Sequence, residues 1–379
     1  MIIGIDISSI PYGTGVSSYT LNLVKYLIKN DSSNIYKLFF SSLRQKLSPE
    51  IKKLKKKYKN VKIYHYRLPP TFFEYIWHRL HILPIELFIG KCDIFHTWDW
   101  LEPPTRHAKT ITTIHDLVPI LYPKWQHQKT ISNFKTKLKL ASQCASAFIC
   151  VSQNTKLDLK KLYPQINPDK IFVVYEAAED KYRCFQKLSP SIKNQKIEKI
   201  KKLYDLNEYI LAQGTREPRK NLKRLIEAFI LFKRQNPSTN IELVIGGKYG
   251  WGNDVSHLRH PYIKILGYIP EKDMVALHAA ALALAYPSLY EGFGLPLVKA
   301  MSLGIPIVTS KTSSLPEVVG NAAILVNPNS TSNIQNALTK IIKSEKLRQK
   351  LIKRGLLQAQ KFSWDLTAQK TLKIYQKIL

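Results

Sequence analysis

The residues of this chain best suited to chemistry lie in Pro287-Ser288-Leu289-Tyr290-Glu291-Gly292-Phe293-Gly294-Leu295-Pro296, where one carboxylate stands on a turn relieved by two glycines. Gly292 and Gly294 let the backbone come close to a bound molecule. The amides of a first helical turn lack intrahelical partners and are ready for hydroxyls or phosphates. Before the turn, 279–285 is small and apolar and leads into Tyr286-Pro287; after it, 297–303 continues at helical spacing and stops at Gly304. A strand-to-helix turn of this kind is where an open α/β sheet binds its ligand. Read alone, E-G-x-G describes an acidic helix cap equally well. Arg219-Lys220 follow a strand pattern, Gly214 and Pro218, and precede a helical pattern at 222–234. Positive charge there opposes the helix dipole, which disfavours two idle surface cations. Gly13-Thr14-Gly15 separates a strand from an amphipathic helix at 19–27 and by itself marks only a tight turn. His115-Asp116 closes a run of β-branched residues, a place where a histidine without further context is a satisfied structural side chain.

Parallel sheets covered by helices must position these groups, because strand-like apolar runs alternate with helical periodicity throughout. Strands are expected at 2–7, 36–40, 61–64, 94–97, 109–114, 147–151 and 171–174, and again at 209–213, 241–245, 263–266, 282–286, 306–309 and 323–325. With 379 residues the chain exceeds what one core usually supports, so two domains are expected, with a linker in the lysine-, serine- and proline-bearing stretch 180–200. No apolar run approaches the roughly 20 residues that span a bilayer. The start, Met1-Ile2-Ile3-Gly4-Ile5-Asp6, reads as a buried strand rather than a secretion signal, which points to a cytoplasmic protein. Cys92, Cys144, Cys150 and Cys184 have neither metal-ligand nor paired spacing and read as buried free thiols rather than disulfides or zinc ligands.

The balance of 58 basic against 27 acidic residues, net +31, implies anionic surroundings. Lysines at 52, 53, 55, 56, 57, 59 and 62 form the densest basic run, and Phe72, Phe73, Tyr75, Ile76, Trp77, Leu80, Ile82 and Leu83 follow it. Basic residues beside such a stretch suit an anionic membrane surface on the inner face of the plasma membrane, with a lysine-rich background on solvated faces as the equal alternative. No helix-turn-helix, zinc-finger or RNP-like pattern supports a nucleic-acid partner.

The string from Pro287 through Gly304 to Ser314-Leu315-Pro316-Glu317-Val318 resembles the donor-site signature of glycosyltransferase family 4, whose members are retaining and have the GT-B fold. The resemblance covers nearly the whole chain. Residues 2–27 look like that family's opening strand, glycine turn and helix, and 110–119 resembles its T-x-x-H-D-x-x-P segment. Residues 209–229, YILAQGTREPRKNLKRLIEAF, are similar to the G-T-x-E-P-R-K-N phosphate-binding segment of a bacterial mannosyltransferase-like branch. The resemblance implies an α/β GT-B protein with two Rossmann-like, doubly wound parallel-sheet domains facing across a cleft. An acceptor-side domain would occupy 1–185 and a nucleotide-sugar domain 186–360, with a closing helix at 361–379 returning to the first.

By the same resemblance, Arg219 and Lys220 clamp the donor diphosphate, with Arg216 assisting, Glu291 binds sugar hydroxyls, and His115 contacts the transferred sugar or reaction centre while Asp116 orders its loop. Gly13, Gly15, Gly214, Gly292, Phe293, Gly294, Leu295 and position 299 complete the donor contacts. The implied donor is a nucleotide-diphosphate sugar, GDP-mannose being favoured, with no further cofactor. The acceptor is a glycan or lipid-linked glycan of the cell envelope. No nucleophile is assigned, since no second carboxylate is placed for double displacement. Asp93-x-x-His96 with Asp99 lacks a further ligand cluster, so loop and acceptor-side roles are expected there rather than a metal.

The sequence departs from the family at Lys299, eight residues after Glu291, where an E-x7-E pattern has the glutamate that holds the ribose. An ammonium cannot accept hydrogen bonds from ribose hydroxyls. Either another group such as Glu317 or the backbone takes over, or nucleotide affinity falls; read alone, Lys299 is a solvated helix residue. The departure keeps open a non-catalytic sugar-nucleotide or glycan-binding subunit of GT-B fold, and the charge alone a nucleic-acid-binding protein.

Overall fold

The computed structural model describes every residue except 99, 100, 253, 254, 256, 257 and 259. The chain forms two compact units, Met1–Glu176 with Ser363–Leu379, and Ala177–Phe362. The first holds a parallel seven-stranded sheet: β1 (Ile2–Asp6), β2 (Ile35–Ser41), β3 (Val61–Tyr66), β4 (Ile94–Thr97), β5 (Lys109–Ile114), β6 (Ala147–Cys150) and β7 (Ile171–Val173), in the order β3-β2-β1-β4-β5-β6-β7. The second holds a parallel six-stranded sheet: β8 (Tyr209–Gln213), β9 (Glu242–Gly246), β10 (Ile263–Gly267), β11 (Ala283–Tyr286), β12 (Ile307–Ser310) and β13 (Ala323–Val326), in the order β10-β9-β8-β11-β12-β13. Each expected strand is present to within a residue or two, because a strand covered on both faces must be a short continuous apolar run.

Both sheets reverse their winding beside their first strand, between β1 and β4 and between β8 and β11. At such a switch point the loops leaving the strands' carboxyl ends diverge and leave a crevice. In the first unit the loop after β1 carries Gly13 and is followed by the helix Gly15–Asn30. Thr14 caps that helix by accepting from Ser17 N at 3.2 Å, while Ser17 Oγ accepts from Thr14 N at 3.0 Å. Its Tyr19, Leu23, Val24 and Leu27 are buried. Each of those aliphatic side chains contributes about 1.5–3 kcal/mol by leaving water. The closing helix Trp364–Ile378 packs on the same unit: Trp364 meets Tyr19 at 5.7 Å, and Thr367 Oγ1 donates to the Tyr175 carbonyl at 2.7 Å.

Three expectations are corrected. Of the four free cysteines Cys92 and Cys150 are buried in the sheet region, but Cys144 and Cys184 sit on helices with exposed side chains. The stretch 180–200 is not a linker: it forms the helices Asp180–Gln186 and Pro190–Leu203, the second opened by Ser189, which accepts from Ile192 N at 3.4 Å, and by Pro190 at its first turn. The first is fixed to the second unit, since Gln186 Nε2 donates to the Leu303 carbonyl at 3.1 Å and Arg183 donates to that of Phe362. Of the aromatic stretch, Phe73, Ile76 and Trp77 are core, with Phe73 edge-on to Phe39 and Trp77 edge-on to Phe88, because a run this apolar buries one face even beside lysines. Only Tyr75, Leu80, Ile82 and Leu83 of that stretch stay exposed, joined by Leu87. Lys52, Lys53, Lys55, Lys56 and Lys57 line the outer face of the helix Pro49–Lys57.

Candidate active site

The crevice between β8 and β11 contains a buried cluster of opposite charges. The loop after β8 runs through Gly214 and the short turn Pro218–Lys220, and the loop after β11 carries Glu291 into the helix Leu295–Ser302. Lys220 Nζ donates to Glu291 Oε1 at 2.7 Å and to the Tyr286 hydroxyl at 2.5 Å, and that hydroxyl donates to the same carboxylate oxygen at 2.7 Å. Arg219 Nη1 donates to Glu291 Oε2, while its Nε pairs with Glu217 Oε1 at 2.7 Å. Glu291 is 5% exposed. Burial alone would push its carboxyl up, but Arg219 and then Lys220 outweigh that and hold it at about 2. Burial, and then Arg219, pull the Lys220 ammonium down, against the lifting effect of Glu291 and Glu217. Burial and then Glu291 raise the Tyr286 phenol, so it remains a proton donor at neutral pH.

Local sequence explains how the two loops reach these positions. Gly214 has φ +133°, and a Cβ there would meet Lys220 Cε at 3.1 Å, so the missing side chain is the space the lysine uses. Gly294 has φ +99° as the residue entering the helix, and a Cβ there would meet Leu315 Cδ2 at 2.9 Å. Asn221 binds the loops to one another, its Nδ2 donating to the carbonyls of Pro287 at 3.0 Å and Pro328 at 2.7 Å. The loop after β12 straps the Glu291 segment from the other side: Ser310 Oγ donates to the Ser288 carbonyl at 2.6 Å, Ser314 Oγ to those of Glu291 and Phe293 at 2.9 Å, and Glu291 N donates to Ser313 Oγ at 3.1 Å. Tyr286, Asn221, Ser310, Ser313 and Ser314 were not singled out from the sequence. The S/T run at 309–314 after a strand was the readable signal for the last three.

The structure thus brings Arg219, Lys220 and Glu291 together, with Gly214 against Lys220. Gly292, Phe293 and Leu295 flank the carboxylate; Phe293 packs its ring on Phe362 at 5.6 Å. Arg216 lies above the Tyr249 ring at 5.6 Å. His115, Gly13 and Gly15 belong to the first unit. There Gly13 closes the turn Ile10–Tyr12, His115 stands edge-on to Tyr19 at 4.6 Å, and Asp116 Oδ1 accepts from Val118 N at 3.0 Å, ordering its loop.

His96, expected on the acceptor side, faces the core instead. It is fully buried, with Nδ1 against the Tyr375 hydroxyl at 2.6 Å and Nε2 against Thr113 Oγ1 at 2.8 Å, and burial pushes it down to about 3, so it is neutral. Asp93 accepts from Ile2 N at 2.7 Å, at the edge of the sheet opposite the ligand-binding loops, and Asp99 lies outside the described residues. Among the described residues no group of histidines, cysteines and carboxylates is clustered to hold a metal. Lys299 is not solvated either: its Nζ donates to Glu179 Oε1 at 3.0 Å, with both side chains 13% exposed, and it sits over the Tyr182 ring at 5.2 Å. Glu317 opens the helix Leu315–Val319.

Two doubly wound parallel sheets, each with a switch point beside its first strand, give the α/β architecture of the GT-B fold, and the comparisons with known proteins supply the activity. The chain matches the family models Glycosyltransferase Family 4 over residues 13–180 and Glycosyl transferases group 1 over residues 193–358. It is 31% identical to O-antigen chain mannosyltransferase B of Escherichia coli over 72% of this chain and 71% of that one. It is 26% identical to the serotype-specific mannosyltransferase WbdA of Escherichia coli over 72% of this chain, but it spans only 34% of that longer protein. The Anabaena Alr3699/HepE structure in complex with UDP and glucose superposes with a TM-score of 0.71 at 18% identity, covering both chains completely. The protein belongs to glycosyltransferase family 4.

Proposed function

We propose that this glycosyltransferase is retaining and moves a hexose, mannose from GDP-mannose in the favoured case, onto a glycan or lipid-linked acceptor in cell-envelope polysaccharide synthesis. The observation that carries the reading is the Arg219, Lys220 and Glu291 cluster at the β8/β11 switch point. A departing diphosphate develops negative charge, and two cations already fixed on a carboxylate are preorganised to meet it without a protein-bound metal. Glu291, held by Lys220 and Tyr286, presents its carboxylate to sugar hydroxyls, and Gly292, Gly294 and Leu295 supply backbone amides at the helix start. His115 contacts the transferred sugar, and Gly13 and Gly15 admit phosphate and acceptor to the backbone. The mannosyltransferase names of the relatives support the sugar and the O-antigen-like acceptor. Incubation with a panel of nucleotide sugars, with and without a lipid-linked acceptor, should release nucleoside diphosphate most rapidly from GDP-mannose when acceptor is present. Release from no donor would favour the non-catalytic binding subunit that Lys299 first suggested.

No described helix is long and apolar enough to cross a membrane. A lipid-linked acceptor would instead be met at a surface, on the inner face of the plasma membrane in the cytoplasmic reading. The exposed Tyr75, Leu80, Ile82, Leu83 and Leu87 of the first unit, in a chain of net charge +31, suit an anionic bilayer. His81 and Leu83 hold φ of 50° and 60°, a strained conformation for side chains with a Cβ, in the segment that displays these groups. Each lysine near such a surface contributes about 1 kcal/mol, screened by salt. Sedimentation with vesicles should therefore increase with anionic lipid, weaken with salt, and drop when Leu80, Ile82 and Leu83 are replaced by serine; indifference to all three removes the membrane reading.

A further inference from the structure

We propose that Tyr122 and Trp125 form a stacking platform for a neutral hexopyranose of the acceptor glycan. The inference deepens the transferase reading above and rests on it. The loop that leaves β5 with His115 and Asp116 runs on through the one-turn helix Val118–Leu121 to Tyr122. Pro123–Trp125 then makes a 3₁₀ turn, closed by Trp125 N donating to the Tyr122 carbonyl at 2.9 Å. Three residues per turn set side chains at i and i+3 over one another. The two rings accordingly lie stacked, with centroids 4.3 Å apart and planes 12° from parallel. Pro123 locks its own φ and so holds the turn in shape before a ligand arrives. His115 and Tyr122 are seven residues apart, at most about 25 Å of chain and less by the helical turn, a span that a few sugar residues cover.

The pair suits a ligand rather than the core. A stack that served packing alone would be covered, and the preceding Ile120 and Leu121 do pack on the buried cluster that contains Ile114, Leu117 and Leu159. Tyr122 is instead 36% exposed, and Trp125 is partly exposed. Rings of this kind offer a large apolar surface and lose little conformational freedom when they meet a ligand. Their border is polar. The helix Gln153–Leu162 follows β6, the neighbour of β5, and its Leu159 joins the same buried cluster. Asp158 of that helix stands near Tyr122, whose phenol is raised by burial and then by that carboxylate. Asn154, one turn earlier on the same face, donates through Nδ2 to Asp158 Oδ2 at 2.7 Å, and both side chains are half-buried. A pyranose is the complement of this surface, with C–H groups on one face and hydroxyls around its rim. A nucleobase also stacks on aromatic rings, but the Asp158 carboxylate repels the phosphates that accompany it. The nucleotide of the transferase reaction, moreover, is met by the cations of the second unit.

Calorimetric titration of the full chain with methyl α-mannoside, and with linear manno- and gluco-oligosaccharides, tests the assignment. Wild-type protein should bind at least one oligosaccharide series more tightly than the single sugar. Tyr122→Ser should weaken that binding by roughly 5- to 10-fold, the loss of one aromatic contact, whereas Tyr122→Phe, which keeps the ring, should hold it. Affinity for GDP or UDP, a property of the second unit, should be the same in both variants and serves as the control for folding. Oligosaccharide affinities that ignore Tyr122→Ser, or a wild-type protein that binds none of these glycans, overturn the inference, and nucleotide binding in the same protein leaves the donor reading intact. Equal losses from Tyr122→Ser and Tyr122→Phe also overturn it, since the hydroxyl and not the ring would then be the contact. So does tighter binding of a single-stranded oligonucleotide than of any glycan. Glycan binding that falls with the ring, in a protein that releases nucleotide from no sugar donor, upholds the platform and fails the transferase reading.

Discussion

Glu291→Gln should slow sugar transfer by about 10- to 100-fold while nucleoside-diphosphate affinity holds or rises. The loss of one charged hydrogen bond to a substrate hydroxyl, about 1.5–3 kcal/mol, sets that range. The affinity follows from the cluster: the carboxylate that now occupies Arg219 Nη1 and Lys220 Nζ competes with phosphate for them, and a neutral amide competes less. The sequence suggests a substitution silent for folding, since glutamine matches glutamate in volume, but the structure argues otherwise. Glu291 neutralises two cations whose side chains are 9% and 17% exposed, and removing one member of a buried pair costs about 3–5 kcal/mol. The variant should therefore melt earlier and recover when nucleoside diphosphate supplies the missing negative charge. Because Glu291 sits at about 2 in the folded protein against an ordinary 4.5, its ionisation stabilises the fold fully above pH 4.5 and loses that effect as the pH falls toward 2. The stability gap between wild type and Glu291→Gln in urea unfolding should accordingly be largest near neutral pH and narrow below pH 4.5. Parallel losses of transfer and nucleotide binding, with a gap that ignores pH, would leave the residue with a folding role only.

Neutralising Arg219 and Lys220 together, as Arg219→Gln with Lys220→Gln, should weaken nucleoside-diphosphate binding by about 100-fold or more, two charged hydrogen bonds being removed at once. Binding of the uncharged nucleoside should change little, because neither cation faces the base or ribose in this reading. The same change strands Glu291 in a buried site without its cations, so its carboxyl should move up and the fold should lose stability above pH 4.5, where wild type keeps Glu291 charged. Adding Glu291→Gln to the pair should return part of that stability without returning the affinity. This separates clamp from scaffold. Equal losses for nucleoside and nucleoside diphosphate in calorimetric titration would mean that the cations act through the fold alone.

Most of the architecture is legible in the residues. Continuous apolar runs such as 209–213 and 109–114 give buried parallel strands, and the residues that end them give loops at the carboxyl edges. Helix starts are legible where a side chain caps them, as at Thr14 and Ser363, which accepts from Leu366 N at 3.2 Å. The segment 180–200 misleads because lysine, serine and proline look like linker composition, yet Ser189-Pro190 is also a helix opening, and Ile200 of that helix is buried. His96 misleads in the opposite direction: spacing puts it near Asp93 and Asp99, but β4 is covered on both faces, so His96 lies in the core, where Tyr375 and Thr113 satisfy it.

The two parallel sheets, the order in which charged loops leave them, and the residue types available for anion and hydroxyl recognition are all legible along the chain. Each of these depends on local periodicity or on neighbours within one turn. Tertiary structure alone decided the partners. That Tyr286 completes the Lys220 and Glu291 pair and that Ser310, Ser313 and Ser314 strap the Glu291 loop are outcomes of packing strands β8, β11 and β12 side by side, and that Lys299 answers Glu179 across 120 positions is an outcome of packing the helix Leu295–Ser302 on the helix Asp180–Gln186. A charge's role is set by what neutralises it, and in a low-dielectric crevice that partner is chosen by distance in space, on which the spacing of letters along the chain is silent.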